Sequence, residues 1–392
     1  GEPVVAPTLD MVLGCYYLTT ERPGAKGEDQ RFGSWDDAIR AYHLRTTLEE
    51  AGIHLQARIH VRMHRDPEGN LWKYDPLVDR IDPNDPDSIQ PDQLEMVPTT
   101  VGRIILFNTI NDALADQAAA PLPFDNKRID KGGLKGIVAT LIRSYGNRQA
   151  AAVLDVIKTL GFQYATLSGT TVAVSDITIP SAKSGLLAEA DAEVADIEKQ
   201  FRRGLITNEE RYNEVIAVWT RTKDAVTNAV DKALDPFGPI TMMAQSGAKG
   251  NIQQISQMSG MRGLMADPSG GIIELPIRSS FREGLSVLEY FLSTHGARKG
   301  LADTAIRTSD SGYLTRRLID VSQNVIVYDE DCGTEEGIWI EDLTDPQRRQ
   351  NRLDQLVGRY LAGEVVDPDT GLIILAMEEG GTIITEDELD RI

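Results

Sequence analysis

The segment from Ser280 to Ser322 constrains this chain more than any other. Ser280, with Glu283 three residues later, reads as a capping box, so a helix is expected to begin there. Leu285, Leu288 and Leu292 form one apolar stripe, and Leu314, Leu318 and Val321 resume it. The stretch between them, HGARKGLADTAIRTSDSG, offers small side chains with Arg298, Lys299, Arg307 and Thr308 in place of core residues. Gly296, Gly300 and Gly312 also lie there, each costing about 1 kcal/mol against Ala in a helix interior. An unbroken helix from Val287 to Ser322 would span roughly 54 Å at about 1.5 Å per residue, longer than a small domain is wide. A helix anchored at both ends and bare in the middle can cross an open cleft, and glycines there permit close approach of a ligand and easier bending. The same residues also read as two ordinary helices broken at Gly296 or Gly300.

With 392 residues the chain is long enough for two or three compact units of about 150 residues each. No apolar run is long enough to span a bilayer and no basic, apolar leader opens the sequence, so a cytoplasmic protein without a membrane partner is expected. The opening GEPVVAPTLDMVLGCYYLTT reads as extended structure already under way, as in an excerpt of a larger polypeptide. Cys15 and Cys332 are too few for a disulfide framework or a self-contained four-cysteine zinc site. The net charge of −20 argues against a surface that is wholly a nucleic-acid glove. Pro239 to Arg317 is the exception, with nine Lys or Arg against six Asp or Glu.

Ile53 to His64 alternates apolar and polar residues, the pattern of a half-buried strand. It places His60 and His64 on one face, which reads either as a solvated face or as two ligands of a metal site lacking a third. Asp and Pro accumulate from Asp66 to Pro98, marking loop or insertion. TTVGRIILFNTI returns to strand-like or buried apolar structure, and Lys131 to Phe162 reads as two amphipathic helices split at Tyr145–Gly146–Asn147.

Between Ser184 and Ala233 the helical period is clear: Leu187, Val194, Ile197, Phe201 and Leu205, then Tyr212, Val215, Ile216, Trp219, Val226 and Val230. Gly204 suits a left-handed helix end, and Thr207 with Glu210 forms a capping box, so the two helices make an antiparallel hairpin. Its charged outer face fits projection into solvent, and packing inside a domain fits the periodicity equally well. Neither GAKGN nor GARKG has the spacing of a phosphate-binding P-loop.

FREGLSVLEYFLSTHGARKGLADTAIRTSDSGYLTRRLIDVSQNVIV resembles the bridge helix of the bacterial DNA-directed RNA polymerase beta-prime subunit, and MRGLMADPSGGIIELPI resembles the F-loop before it. GEPVVAPTLDMVLGCYYLT, TTVGRIILFN, GLITNEERYNEVIAVW and DCGTEEG resemble further segments of that family in the same order, covering nearly the whole chain. The resemblance implies an irregular, multi-domain α+β fragment with a projecting helical hairpin and one long bridge helix. It divides the chain into a pore-like region 1–125 with an insertion near 65–98, a funnel region 126–238 with rim hairpin 184–233, an F-loop region 239–279, the bridge helix 280–322, and the start of a following cleft region 323–392.

By the same resemblance Arg298, Lys299, Thr304, Ala305, Arg307, Thr308, Tyr313, Arg316 and Arg317 face nucleic acid or substrate. Gly296, Gly300 and Gly312 are hinges that let the helix flex during translocation. Lys249, Met261 and Arg262 belong to the F-loop and channel. Lys249 stands where relatives carry Arg, and Ser256 where a second Arg is more usual, so charge survives at Lys249 without bidentate geometry. Cys332 would be one ligand of a zinc site completed outside the fragment. The family joins nucleotides with Mg²⁺ held by three aspartates in an Asn-Ala-Asp-Phe-Asp-Gly-Asp loop. That loop is absent here and expected upstream of Gly1, so the fragment alone is expected to be inactive and to bind neither Mg²⁺ nor Zn²⁺ tightly. Implied partners are the alpha, beta, omega and sigma subunits, template DNA, RNA, nucleoside triphosphates, and transcript-cleavage or other secondary-channel factors at the hairpin. The competing reading is a free-standing, non-catalytic regulatory protein derived from that subunit.

Overall fold

A computed structural model of the chain describes residues 5–44, 52–79, 81, 89–326, 328, 334, 336–338, 353, 355–367, 370–376 and 382–385. The chain divides into two compact units, Pro3–Thr304 and Ala305–Ile392 with the first two residues. The architecture is α+β.

The larger unit begins with helix α1 (Asp10–Thr19), followed by strand β1 (Arg31–Phe32), helix α2 (Trp35–His43), strands β2 (Arg58–Arg65), β3 (Leu71–Lys73) and β4 (Leu94–Thr100), and helix α3 (Val101–Ala115). The opening is therefore a helix and not extended structure. Val12, Leu13, Cys15, Tyr16 and Leu18 are all buried, so α1 is apolar on every side and its sequence shows no amphipathic period. TTVGRIILFNTI is the buried apolar structure expected of it, and all but its first two residues are helix and not strand. Thr100 closes β4 and caps α3, its side chain accepting from the Arg103 N–H at 3.3 Å, and α3 then runs almost entirely buried.

β2 is the centre of the sheet, paired antiparallel with β4 from Arg58↔Thr100 to His64↔Leu94, antiparallel with β3, and parallel with β1. It starts at Arg58, later than the alternation suggests; Ile53, Leu55 and Ala57 are buried in the approach to it. β3 lies within 66–98, where the sequence reads as loop or insertion, and β4 begins there and runs on to Thr100. His60 sits 3.4 Å from the Asp29 carboxylate and His64 is half-buried.

Helix α4 (Lys131–Ser168) is interrupted at Gly146, with φ 78°, where the two arms were expected to part. Its second arm crosses α1 so closely that a Cβ on Gly14 would lie 1.8 Å from the Gly161 carbonyl oxygen. A Cβ on Gly102 of α3 would meet the Leu18 carbonyl at the same distance. These crossings draw three helices around Trp35, Phe107 and Phe124, whose rings meet edge to face at 5.2 Å. Buried Arg103 completes the joint, donating to the Thr19 carbonyl at 3.0 Å and to Asn126 Oδ1 at 3.0 Å. It thereby satisfies a carbonyl that the end of α1 leaves open.

Helices α5 (Lys183–Arg202) and α6 (Asn208–Ala233) form the expected hairpin, with Gly204 at φ 74° and the Thr207–Glu210 capping box in place. Phe201 and Leu205 near its turn are exposed. Further along, Val218, Trp219, Val226 and Val230 are buried with Ile255 and Met261, so α6 is packed inside the unit and only part of the hairpin stands in solvent. Short helices α7 (Pro239–Gln245) and α8 (Ile252–Ser259) follow, the second capped by Asn251.

Helix α9 (Val287–Ser322) is 36 residues long and continues past Gly296, Gly300 and Gly312 without a break. It does not begin at the Ser280 box. That box forms, the Glu283 carboxylate accepting from the Ser280 N–H at 2.7 Å, but it encloses a single turn ended by Gly284 at φ 86°. Ser286 and Glu289 make the box that caps the long helix. In the smaller unit, β5 (Val365–Val366) and β6 (Ile373–Leu375) form an antiparallel pair. Cys332 lies outside the described residues.

Replacing Gly14 with Ala is expected to destabilise the chain by about 3 kcal/mol, because the clash is with backbone that cannot rotate away. Denaturant unfolding of G14A against G136A checks this, since a Cβ at Gly136 meets nothing within 4 Å.

Candidate functional site

The long helix is nearly bare. Ser293 is its one buried residue among those described. Arg298, Lys299, Thr304, Ala305, Arg307, Thr308, Tyr313, Arg316 and Arg317 are all exposed. Arg316 lies 3.7 Å from Asp320, and the Arg317 guanidinium stacks 5.5 Å from the Tyr313 ring centre. Exposed Leu301, Ile306, Leu314, Leu318, Ile319 and Val321 point in several directions around the axis, so the exposed surface is not a single polar face. Among the described residues a Cβ on Gly300 or Gly312 would meet nothing within 4 Å, and one on Gly296 would touch Met265 Cε at 3.4 Å. Packing does not require glycine at any of the three.

The first turns of α9 rest on the loop 261–283. Gly263↔Ile277 and Ala266↔Ile272 bridges fold this loop back on itself. Met261 is fully buried in the hairpin core. Arg262 stacks 5.1 Å from the Phe281 ring and donates from Nη1 to Ser293 Oγ. Lys299 Nζ donates to the Pro268 carbonyl at 3.0 Å. Glu289 accepts from the Arg278 N–H at 3.0 Å, the Ser279 N–H at 3.2 Å, Ser279 Oγ at 3.0 Å and the Ser286 N–H at 2.9 Å. Burial opposes ionisation of this carboxyl, and the bonds from Ser286 and Ser279 outweigh it, holding its pKa at about 2.

The same loop is gripped from the hairpin side. Arg211 forms a two-pronged ion pair with Glu274 at 2.6 and 2.8 Å, which pulls the Glu274 carboxyl below its ordinary range. Tyr212 Oη donates to the Ile272 carbonyl at 2.9 Å. Arg278 pairs with Asp191 at 2.9 and 2.7 Å and lies 5.0 Å from the Trp219 ring centre. Lys183, itself buried, pairs with Glu283. Lys249 is exposed, and Ser256 is buried against α6, sharing a 2.9 Å hydrogen bond with Thr227.

Three family models match in sequence order: RNA polymerase Rpb1 domain 3 over residues 1–177, domain 4 over 206–282 and domain 5 over 284–385. The DNA-directed RNA polymerase subunit beta' of Heliobacterium modesticaldum is 50% identical over 380 residues, covering 97% of this chain and 30% of the relative. That of a Thermoanaerobacter species is 48% identical over 398 residues, covering 100% of the chain and 31% of the relative. That of Chloroflexus aggregans is 46% identical over 404 residues, covering 95% and 26%. The chain belongs to the RNA polymerase beta' family. It spans less than a third of the length of these curated relatives.

For a beta' segment, the described residues divide into two kinds. The bare helix carries the residues expected to face nucleic acid or substrate; of those expected in the F-loop and channel, Met261 and Arg262 lie at the start of the loop and Lys249 lies between α7 and α8. Met261 and Arg262 are inward and structural in their contacts. The sequence reading missed Glu289, Arg278 and Glu274; the Ser286-x-x-Glu289 spacing could have pointed to the first. Among the described residues no three His, Cys, Asp or Glu side chains gather where they could hold a metal ion, and no described helix is long and apolar enough to cross a membrane.

Glu274, Glu283 and Glu289 all hold their protons less tightly in the fold than the ordinary value of 4.5. The stability they contribute is therefore complete above about 4.5 and lost as pH falls through their lowered folded values. Protection factors of the Ser279 and Ser286 amides should be flat from pH 7 to about 5 and decline toward pH 2, and hydrogen exchange in the wild type and Glu289→Gln, which lacks this titration, checks it.

Proposed function

We propose that this chain forms the nucleotide-entry channel rim, F-loop and bridge helix of a DNA-directed RNA polymerase, working in template-directed RNA synthesis with the rest of the enzyme. The observation that carries the reading is α9: 36 residues run unbroken, only one is buried, and glycine occupies positions where Ala would fit. An isolated soluble helix gains nothing from such exposure or from such residues. A helix that is surrounded in a larger enzyme and must bend between states gains from both, because glycine lowers the cost of local unwinding.

On this reading the exposed guanidinium groups of Arg298, Arg307, Arg316 and Arg317 attract phosphate, and Thr304, Ala305 and Thr308 give a smooth surface against a templating base pair. Tyr313 offers a ring for stacking. Lys249, exposed beside α8, acts as a point charge toward a triphosphate. The turn of the α5/α6 hairpin, with exposed Phe201 and Leu205 flanking Arg202 and Arg203, is the docking point for secondary-channel factors. Alpha, beta, omega and sigma subunits, template DNA and RNA are the remaining partners, in the cytoplasm. Mg²⁺ would supply Lewis-acid chemistry for nucleotide joining, held by residues beyond those described, and Cys332 would contribute one ligand to a zinc site. This chain's own residues supply positioning and charge.

The test is substitution in the reconstituted polymerase. Gly300→Ala and Gly312→Ala should each stiffen the helix by about 1 kcal/mol without steric cost. Elongation rate and pausing are expected to change with either variant. Unchanged elongation and pausing in both would overturn the hinge role.

A further inference from the structure

The start of α9 is held in an unusual way for a helix with so little core contact. A capping box needs one carboxylate oxygen, and Glu289 Oε2 fills that need by accepting the Ser286 N–H, while Ser286 Oγ accepts the Glu289 N–H. Oε2 also takes the Ser279 hydroxyl, and Oε1 takes two backbone donors from the loop, Arg278 N–H and Ser279 N–H. Four donors thus converge on one carboxylate, three of them from residues outside the helix and its cap. Arg278 in turn faces both ways. Its backbone is bound to Glu289, while its guanidinium is paired with Asp191 of α5 and stacked on Trp219 of α6.

We propose that Glu289 is a positioning residue for nucleotide addition. By joining the helix start to Arg278 and Ser279, it fixes the direction in which α9 presents Arg298, Lys299 and Thr304. This rests on the assignment of α9 as the bridge helix. Apolar packing cannot set that direction, since only Ser293 is buried along the helix. Among the described residues the other anchors include Arg262 to Ser293, Lys299 to Pro268, and Met265 against Gly296. The lever is long. Thr304 lies about 22 Å along the axis from Glu289 at 1.5 Å per residue, so a tilt of about 3° displaces it by roughly 1 Å. A displacement of about 1 Å at a reacting centre can cost on the order of 100-fold in rate. The carboxylate is well suited to the task because it stays ionised at every physiological pH.

Single-nucleotide addition by reconstituted polymerase carrying Glu289→Ala, Glu289→Gln, Ser279→Ala or the Ser279→Ala/Glu289→Ala pair tests this. The expected result for Glu289→Ala is a fall in kcat of about tenfold or more with KM for the nucleotide unchanged, the signature of lost positioning and not of lost substrate binding. Glu289→Gln keeps one accepting oxygen and should recover part of the rate. Ser279→Ala leaves the Ser286 cap intact and should lower kcat less. The double variant should cost no more than Glu289→Ala alone, since both changes break one network. Should Glu289→Ala fail to assemble, Glu289→Gln and Ser279→Ala decide the matter by the same readout. Normal kcat in the assembled variants, with elongation still sensitive to Gly300→Ala or Gly312→Ala, would overturn the role of Glu289 alone. Insensitivity to all of these changes would overturn the bridge-helix assignment with it.

Discussion

The interaction on which the rest of this structure depends is the polar clasp around the loop 261–283. A long helix without a core of its own must be held by something other than burial. Here that something is a row of charge-assisted hydrogen bonds: Arg211 with Glu274, Arg278 with Asp191, Lys183 with Glu283, and Glu289 with four donors. Such contacts are directional, so they fix orientation more sharply than the same free energy spread over apolar area. They also compete with water at the surface, which is why several appear together and lean on buried neighbours such as Trp219 and Met261.

Behind the clasp stand two cores of different character. One gathers α1 to α4 and the sheet at glycine crossings so close that backbone nearly touches backbone. The other is the seam between α5, α6 and α8, built from regularly spaced aliphatic residues and Trp219. The two cores are well packed while α9 is exposed along nearly its whole length. Among the described residues nothing near Gly300 or Gly312 excludes a methyl group.

The hairpin was legible residue by residue: its period, the left-handed Gly204 and the Thr207 box are local signals that tertiary contacts had no reason to override. The break at Gly146 was equally local. The long helix was legible as a length and a bare middle, although two ordinary helices fitted the same residues. The helical character of the buried helices α1 and α3 was not legible, although the burial of α3 was. An element surrounded by core has no polar face, so its sequence loses the very periodicity by which helices are recognised. The start of α9 was misplaced because two capping boxes lie six residues apart, and Gly284 decides between them only through its backbone conformation.

Of the candidate site, the exposed residues of α9 were named through the resemblance to the family, because a run of small and basic residues between two apolar stripes fits two ordinary helices as well. The family itself was legible from its motifs. Glu289, Arg278 and Glu274 were not, since a carboxylate's partners 10, 11 and 63 positions away are invisible to any local pattern. What the sequence determined alone was composition, period and cap chemistry, which act over a few residues. What only the tertiary structure decided was which carboxylate meets which donor and whether three glycines break a helix or sit within it, because those outcomes depend on distances set by every other packed element.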